Sequence, residues 1–546
     1  MKKKIVLIAF FDKVSLSLRL LSSILKKHGN DTSLIYFKDD RTVILDHFIE
    51  NSKFYQFINN GKHVGCGGDV NPPTQQEFDI LKDKIKEVDP DFVGISTRSS
   101  TKDLGIKVAE ILKEELPNAV YVAGGYGPTT EPEYFLETFD YVCLGEGEPF
   151  AKNIDYDLKS IPNIGWREGD KFIHNKLATH SDLDELPYPD WTSHNKFLIE
   201  DNKIVPLVET YDRKTYDLFA SRGCPSNCSY CMANQWRNFY IKYNSNKYPK
   251  VRVRSTQSVI DELSFAKKEY DIDYVRFMDS IFGYSEKWLF QFLDLYDSQI
   301  GLDYFCNLDV RFTNKRIIKR LKESSLRKST VGIQAVDEEV RQITINRKIS
   351  DSQLIDYAWM IHEHSINFQY DILHWNPFDT EETLSKGVSL LKKLPRNKNV
   401  AIFELKFFPE SKIGQLYRKE KPKYLPNNIY EFWAWVYIMV LKSDRFDSVV
   451  DFVQKYDAFK KTPVVLKNIY NETIANFESD KKIISRRNIL KGELITTVML
   501  DSIETNASGG INFDERFRLI NLTARRDIEK NIVLQWDDFF GSYGYK

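Results

Sequence analysis

The sequence predicts an α/β protein in three parts: an N-terminal doubly wound, Rossmann-like parallel sheet, a partial (β/α)6 TIM-type barrel, and a mainly helical C-terminal region. Three observations point there. The 546 residues exceed what one hydrophobic core holds. Continuous apolar runs alternate with amphipathic helical patterns over residues 1–150. After a proline-punctuated stretch, six further strand-like runs alternate with helical patterns. The expected divisions are 1–150, a linker at 151–210, the barrel at 211–415 and the helical region at 416–546.

Ile5–Phe10 is an unbroken apolar run, as a parallel strand covered on both faces requires. Leu18, Leu21 and Leu25 follow at helical spacing, with Lys26, Lys27 and His28 in the last turn and Gly29 placed to cap it. Ser33–Phe37 reads as the second strand. Thr74 and Glu77 form a capping-box pattern before Phe78, Leu81, Ile85 and Val88, and Pro90 stops that helix. Phe92–Ser96, Ala119–Ala123 and Tyr141–Leu144 are the next strands, with a helix at Leu104–Leu112. A doubly wound sheet binds its ligand beyond the carboxyl ends of its strands. That places candidates at Ser96, Ser99, Gly124 and Gly125.

Asp182-Leu183-Asp184-Glu185-Leu186-Pro187-Tyr188-Pro189-Asp190 is the linker signal. The barrel strands are expected at Tyr216–Ala220, Tyr274–Met278, Asp303–Asn307, Thr330–Ile333, Asn367–Leu373 and Ala401–Phe407. From about Tyr424 the chain is aromatic and helix-forming, and Phe432-Trp433-Ala434-Trp435 opens an apolar helix expected to cap the barrel mouth.

A net charge of −1, with 42% hydrophobic and 28% charged residues, gives no global electrostatic case for nucleic acid or membrane binding. No apolar run approaches the ~20 residues of a spanning helix, and Ile5–Phe10 is too short for a signal-peptide core. A cytoplasmic protein is expected.

Six cysteines in so long a chain are not a disulfide scaffold. Three of them, Cys224, Cys228 and Cys231, share the segment Ser221-Arg222-Gly223-Cys224-Pro225-Ser226-Asn227-Cys228-Ser229-Tyr230-Cys231 behind a predicted strand. A tetrahedral zinc or a cubane cluster takes four ligands. No fourth cysteine or histidine stands nearby at ligand spacing. Three thiolates on a cubane leave one iron open to a cofactor or substrate. A zinc knuckle and buried free thiols are the alternatives.

The CxxxCxxC spacing at a first barrel strand resembles the signature of the radical S-adenosylmethionine superfamily. The resemblance runs over roughly residues 1–415 and is closest to the subgroup with an N-terminal cobalamin-binding domain. Gly124-Gly125, Glu131-Pro132-Glu133 and Gly145-Glu146-Gly147-Glu148 look like that domain's last strands and exit, and the linker is also typical. Phe277-Met278-Asp279-Ser280, Gly332-Ile333-Gln334 and Asn376-Pro377-Phe378-Asp379-Thr380-Glu381-Glu382-Thr383 resemble motifs after later barrel strands.

The resemblance implies a 4Fe-4S cluster on Cys224, Cys228 and Cys231, with S-adenosylmethionine on its open iron. Tyr230 would lie against adenine. Asp279 would accept from the cofactor's ammonium, Arg311 would pair with its carboxylate, and Gln334 would bond a ribose hydroxyl or that carboxylate. Each of these also suits a satisfied polar group at a barrel rim. Cobalamin would sit against Ser96, Ser99, Gly124 and Gly125, and the absence of an Asp-x-His-x-x-Gly motif implies no histidine on cobalt. The implied reaction is methylation of an unactivated carbon of a small molecule, with an electron donor such as flavodoxin or ferredoxin. Oxidation, ring closure or rearrangement without methyl transfer is the alternative chemistry, and a non-catalytic iron–sulfur carrier or sensor the alternative class.

The chain departs from the pattern at Gln334, where glutamate is usual, at Asn376 and Asp379, where glycine is common, and at Pro409-Glu410-Ser411, where Pro-Gly-Thr is frequent. These changes imply a divergent substrate pocket. Cys306, Cys66, His362, His364 and His374 are weaker candidates, with His374 best placed at a strand end.

Overall fold

The computed structural model describes residues 2–38, 72–178, 182–207, 214–244, 248–397, 399–408 and 411–455, then shorter stretches as far as 540. Cys66, Pro409 and Glu410 lie outside the described residues. The described chain forms two compact units, Met1–Phe452 and Val453–Lys546.

In the first unit, β1 (Lys4–Phe10), β2 (Asp31–Phe37), β3 (Phe92–Ser96), β4 (Val120–Gly124) and β5 (Tyr141–Cys143) form a parallel sheet in the order β5-β4-β3-β1-β2. β1 is central and pairs in parallel with both β2 and β3. Burial on both faces explains its uninterrupted apolar run, since Val6 and Ile8 pack into one core and Ile5 and Leu7 into the other. The helix Gln75–Val88 carries the expected capping box: Thr74 Oγ1 accepts from the Glu77 amide, and Glu77 accepts from the Thr74 amide.

Residues 151–210, expected as a linker, instead extend this sheet at both edges. β6 (Ile164–Glu168) and β7 (Lys171–His174) add antiparallel beyond β5, and β8 (Lys196–Glu200) adds parallel beside β2, followed by antiparallel β9 (Lys203–Pro206). The strands are only four or five residues long, so their periodicity is faint in the sequence. The local turn chemistry is clearer. Asp201 and Asn202 between β8 and β9 both have positive φ, as a two-residue hairpin turn requires. The proline-rich segment is pinned by buried Asp190, which accepts from Ser22 Oγ (2.7 Å) and pairs with Lys26 (2.8 Å) and Lys196 (2.9 Å).

β10 (Thr215–Leu218) begins the second sheet. β11 (Ser221–Gly223) and β12 (Val251–Val253) form a separate antiparallel ribbon. β13 (Tyr274–Phe277), β14 (Asp303–Phe305), β15 (Leu326–Gln334), β16 (Asn367–His374) and β17 (Val400–Glu404) then follow β10 in one six-stranded parallel sheet, neighbour to neighbour in chain order. This is the order of an open, partial barrel. The predicted first strand is therefore shorter than expected, and the β11 ribbon stands between it and the cysteines.

The helix Asn427–Lys442 is buried almost all round, from Ile429 to Leu441, which accounts for its continuous apolar sequence. The helix Asp447–Val453 follows. In the second unit, the described residues from Lys481 onward pair as short antiparallel ladders, Lys481–Ser485 with Leu500–Glu504 and Thr523–Ala524 with Phe539–Phe540. Ile483, Ile495, Leu500, Ile511 and Leu534 form their core. The C-terminal region is thus helical where the long apolar run stands, and built on short strands beyond it. No helix among the described residues is long and apolar enough to cross a membrane.

Candidate cluster and cofactor site

The cysteine loop leaves the ribbon at Gly223, whose φ is +97° and where a Cβ would come 2.3 Å from the Lys250 carbonyl. Only glycine fits that close approach. The loop is then clamped at its centre. Ser229 donates from its amide to the Ile345 carbonyl (2.8 Å) and from Oγ to the Thr344 carbonyl (2.6 Å), while the Ile413 amide donates to the Ser229 carbonyl (3.3 Å). Asn346 Nδ2 donates to the Asn227 carbonyl (2.8 Å). Cys231 opens the helix Met232–Asn244, and the amides of Ala233 and Asn234 point back at its sulfur. Burial pushes the Cys231 thiol up to about 11 and raises Cys224 as well. Buried thiolates here need positive charge beside them.

That charge is supplied by a trio not foreseen as a unit. Arg311 donates from Nε and a terminal nitrogen to Asp309 (both 2.8 Å) and also reaches the Cys228 sulfur. Arg347 pairs with the same carboxylate at 2.9 Å. Burial alone would raise Asp309, but the two guanidinium groups hold its carboxyl below the ordinary carboxylate value. Two cations share one anion, so the trio carries net positive charge, and Arg347 Nε is buried without a hydrogen-bond partner. Gln334 lies close by: a Cβ on Gly332 would be 2.7 Å from Gln334 Nε2 and 3.2 Å from Arg347. Gln334 itself has φ +64°, at a register shift in the β15–β16 ladder. A non-glycine residue held there is strained, a feature that clusters at functional sites. Tyr230 packs against Ala335, Val340 and Ile345.

Asp309 and Arg347 were missed. Asp309 stands two residues from the predicted Arg311 and could have been found at the same strand end. Arg347 has no local signal, because only the fold brings it to the loop. Asp279 is placed differently from the expectation. It is 1% exposed, and its two carboxylate oxygens accept from the Ala220 amide (3.0 Å) and the Ser221 hydroxyl. It anchors the step from β10 to the ribbon. Burial raises its carboxyl to about 6. Cys306 is wholly buried. His374 is buried and depressed to about 4 by desolvation, with Nε2 on the Tyr430 carbonyl at 2.8 Å, which makes it a neutral core histidine.

A cavity of about 650 Å3 lies between the carboxyl end of the N-terminal sheet and the ribbon. Ser96, Gly124 and Gly125 line it on one side, and Arg222, Gly223 and Trp236 on the other. Ser99 is not among the lining residues. The hydroxyls of Thr97, which lines the cavity, and of Ser99, beside it in the chain, are buried without partners. At Gly125 (φ +100°) a Cβ would strike the Thr97 carbonyl at 2.6 Å, so this turn closes against the Thr97 backbone only as glycine. Tyr126 meets Trp236 edge-on at 4.7 Å between ring centroids.

Most charged groups on the cavity wall are matched internally, with Lys250 the exception among the described residues. Arg98 pairs with Asp12 (2.7 Å), Arg254 with Glu262 and Arg276 with Asp217. Arg222 bridges Glu146 (3.2 Å) and Glu148 (2.6 Å), and Arg252 also joins Glu146. The Gly145–Glu148 exit turn is thereby tied to the residue two positions before Cys224. Such walls suit a bulky ligand with neutral polar edges better than a polyanion.

The comparisons with known proteins agree with this geometry. The radical SAM superfamily pattern matches residues 218–386, which hold the cysteine loop and the strands up to β16. That segment is similar to the radical SAM superfamily. The B12 binding domain pattern matches residues 64–154, the sheet side of the cavity. An uncharacterised methyltransferase of Pyrococcus horikoshii is 26% identical over 58% of this chain and 67% of its own length. Cytidylyl-2-hydroxyethylphosphonate methyltransferase of Streptomyces wedmorensis is 26% identical over 37% of this chain and 41% of its own. The chain therefore spans between two fifths and two thirds of these relatives. The cobalamin-dependent S-adenosylmethionine radical enzyme OxsB, solved with aqua-cobalamin and S-adenosylmethionine bound, shares the fold with a TM-score of 0.55, at 14% identity over 78% of this chain and 62% of its own.

The residues present fit the cofactors of this superfamily. Three thiols on one clamped loop, with a guanidinium at Cys228, suit an iron–sulfur cluster. Among the described residues, no three His, Cys, Asp or Glu side chains converge as they would on a single metal ion. A cubane does not need that convergence, because each thiolate takes a different iron. The cavity, with its unpartnered Thr97 hydroxyl, suits cobalamin. No histidine is among its lining residues.

Proposed function

We propose that this protein is a cobalamin-dependent radical S-adenosylmethionine methyltransferase acting on an unactivated carbon of a small molecule. The observation that carries the reading is a cavity walled on one side by the sheet's carboxyl end and on the other by the ribbon that leads into the cysteine loop. The bound cluster and S-adenosylmethionine would supply a hydrogen-abstracting radical, and cobalamin a methyl carrier.

The chain's own groups have separable tasks. Cys224, Cys228 and Cys231 hold the cluster, and Arg311 offsets negative charge at Cys228. Arg347, with a free Nε, receives the carboxylate of S-adenosylmethionine, and Gln334 bonds its carboxylate or ribose. Tyr230 lies against the adenine. Asp279 is a positioning residue that fixes the start of the ribbon rather than touching the ammonium. Ser96, the Thr97 hydroxyl and the Gly124-Gly125 backbone meet the cobalamin edge, with Ser99 behind them. The Tyr126–Trp236 pair screens that chamber from water.

The test is an anaerobic incubation of reconstituted protein with S-adenosylmethionine labelled in its methyl group, reductant and a small-molecule extract. A new product carrying the label, formed together with 5′-deoxyadenosine, is the expected result. Deoxyadenosine without a labelled product would replace methyl transfer by oxidation, ring closure or rearrangement. No deoxyadenosine would overturn the radical reading.

A further inference from the structure

We infer that the surface over Ser229 is the docking site for an acidic one-electron carrier protein of the flavodoxin or ferredoxin kind. The inference rests on the cluster reading, since the surface matters only if Cys228 and Cys231 hold a redox centre.

Two chain segments converge on Ser229, which lies between those cysteines. One is the turn that presents the Thr344 and Ile345 carbonyls to it, and the other is the start of the helix Lys412–Glu420, whose Ile413 amide binds its carbonyl. Both segments reach solvent directly. The first exposes Ile343, 66% accessible within an otherwise packed turn, and Lys348. The second exposes Lys412, Arg418 and Lys419, with Lys421 just beyond. Lys412 and Lys419 are seven positions apart and so lie on one face of the helix. None of these five cations makes an ion pair among the described residues, although ion pairs are common elsewhere on this surface. Glu420 is the one acidic residue between Ser411 and Tyr424.

Unpaired cations on two segments that meet at Ser229, one of which also exposes an aliphatic side chain, are the reverse image of an acidic protein surface with an apolar centre. Charge of this kind steers encounter and sets the on-rate more than the final affinity. Its position is what assigns the cargo. From Ile343 the covalent path runs one residue to Thr344, and from its carbonyl one hydrogen bond to Ser229. A carrier seated there gives up one electron and is oxidised, and the cluster takes that electron and is reduced. No proton or atom is exchanged.

The experiment compares two reductants on the full-length, reconstituted protein. Lys412→Glu combined with Lys419→Glu should lower the rate of 5′-deoxyadenosine formation driven by reduced flavodoxin about tenfold and flatten its dependence on salt. The rate driven by dithionite, a small reductant that needs no docking surface, should not change. Ile343→Ala should lower only the flavodoxin-driven rate. Equal loss with both reductants, no loss with flavodoxin, or a wild-type protein that flavodoxin cannot reduce would each overturn the docking site. A wild-type protein that forms no deoxyadenosine with dithionite would instead overturn the cluster reading.

Discussion

The two cofactor regions of the first unit are built by opposite means. The sheet end is shaped by close backbone packing around a cavity: Gly125 lets the turn close on Thr97, Thr97 offers an unpaired hydroxyl, and most charges on the wall are paired with one another. The cysteine loop is shaped by fixed charge: Asp309 lies between Arg311 and Arg347, leaving one cation in excess beside the thiols. A large ligand with neutral edges needs room and many weak contacts. A zwitterionic ligand beside a metal centre needs a few charges held in place. The difference predicts how each region fails. The loop should fail through single groups, and the cavity through lost volume.

Loss of a thiolate is the strongest break. Replacing Cys224, Cys228 or Cys231 with alanine should lower iron content and abolish 5′-deoxyadenosine formation while the protein still binds cobalamin. Iron analysis, product chromatography and visible absorption on the same sample separate these effects. Retained activity in any one variant would show that this cysteine is not a ligand.

At the cavity, Gly125→Val should do the converse. Its side chain meets the Thr97 carbonyl and needs a φ that a β-branched residue avoids. Cobalamin retention should fall severalfold with iron content unchanged. Equal loss of both would mean that the two regions fold as one element and that the contrast between them is only apparent.

Within the cluster region, Arg347→Ala removes a cation but leaves Arg311 on Asp309. S-adenosylmethionine should bind more weakly by about 1.5–3 kcal/mol, the range for a hydrogen bond to a charged group. Isothermal titration against the reconstituted protein measures it. Unchanged affinity, with a loss only on Arg311→Ala, would return the carboxylate to Arg311.

The same contrast explains what the sequence displayed. The first sheet was legible because parallel strands buried on both faces leave apolar runs such as Ile5–Phe10, and β13 to β17 because they alternate with helical patterns, although β15 and β16 bury only alternate residues. The cysteine loop was legible because three thiols at fixed spacing have few other uses. The edge strands β6 to β9 were not, because a hairpin of four- and five-residue strands leaves only a turn signal such as Asp201-Asn202. Arg347 was invisible for a different reason. It lies 116 residues beyond Cys231 in a segment with no motif, and it reaches the loop only because the turn after β15 folds under Ser229. Asp279 shows a different limit, since the motif marks the position but carries no sign of the backbone amide and hydroxyl that the fold brings to it.

Asp279 also yields the most specific effect, one read in stability rather than activity. Its carboxyl is raised from 3.8 to about 6 by burial, against hydrogen bonds that pull it down. The folded protein therefore holds this proton more tightly than the unfolded chain does. Its contribution is full below about pH 4 and is lost as pH rises through about 6, at which point the buried group must ionise. The shift of about two units corresponds to roughly 3 kcal/mol between those limits. Asp279→Asn keeps an oxygen for the Ala220 amide and has no charge to bury. The variant should lose this component of the fall in melting temperature between pH 4 and 7 while its cysteines still bind iron. If the pH dependence of unfolding is the same in both proteins, the carboxylate is ionised throughout, as contact with a ligand's ammonium would require. Asp279 would then belong with Arg347 among the fixed charges of the cofactor region rather than with the scaffold that positions the loop.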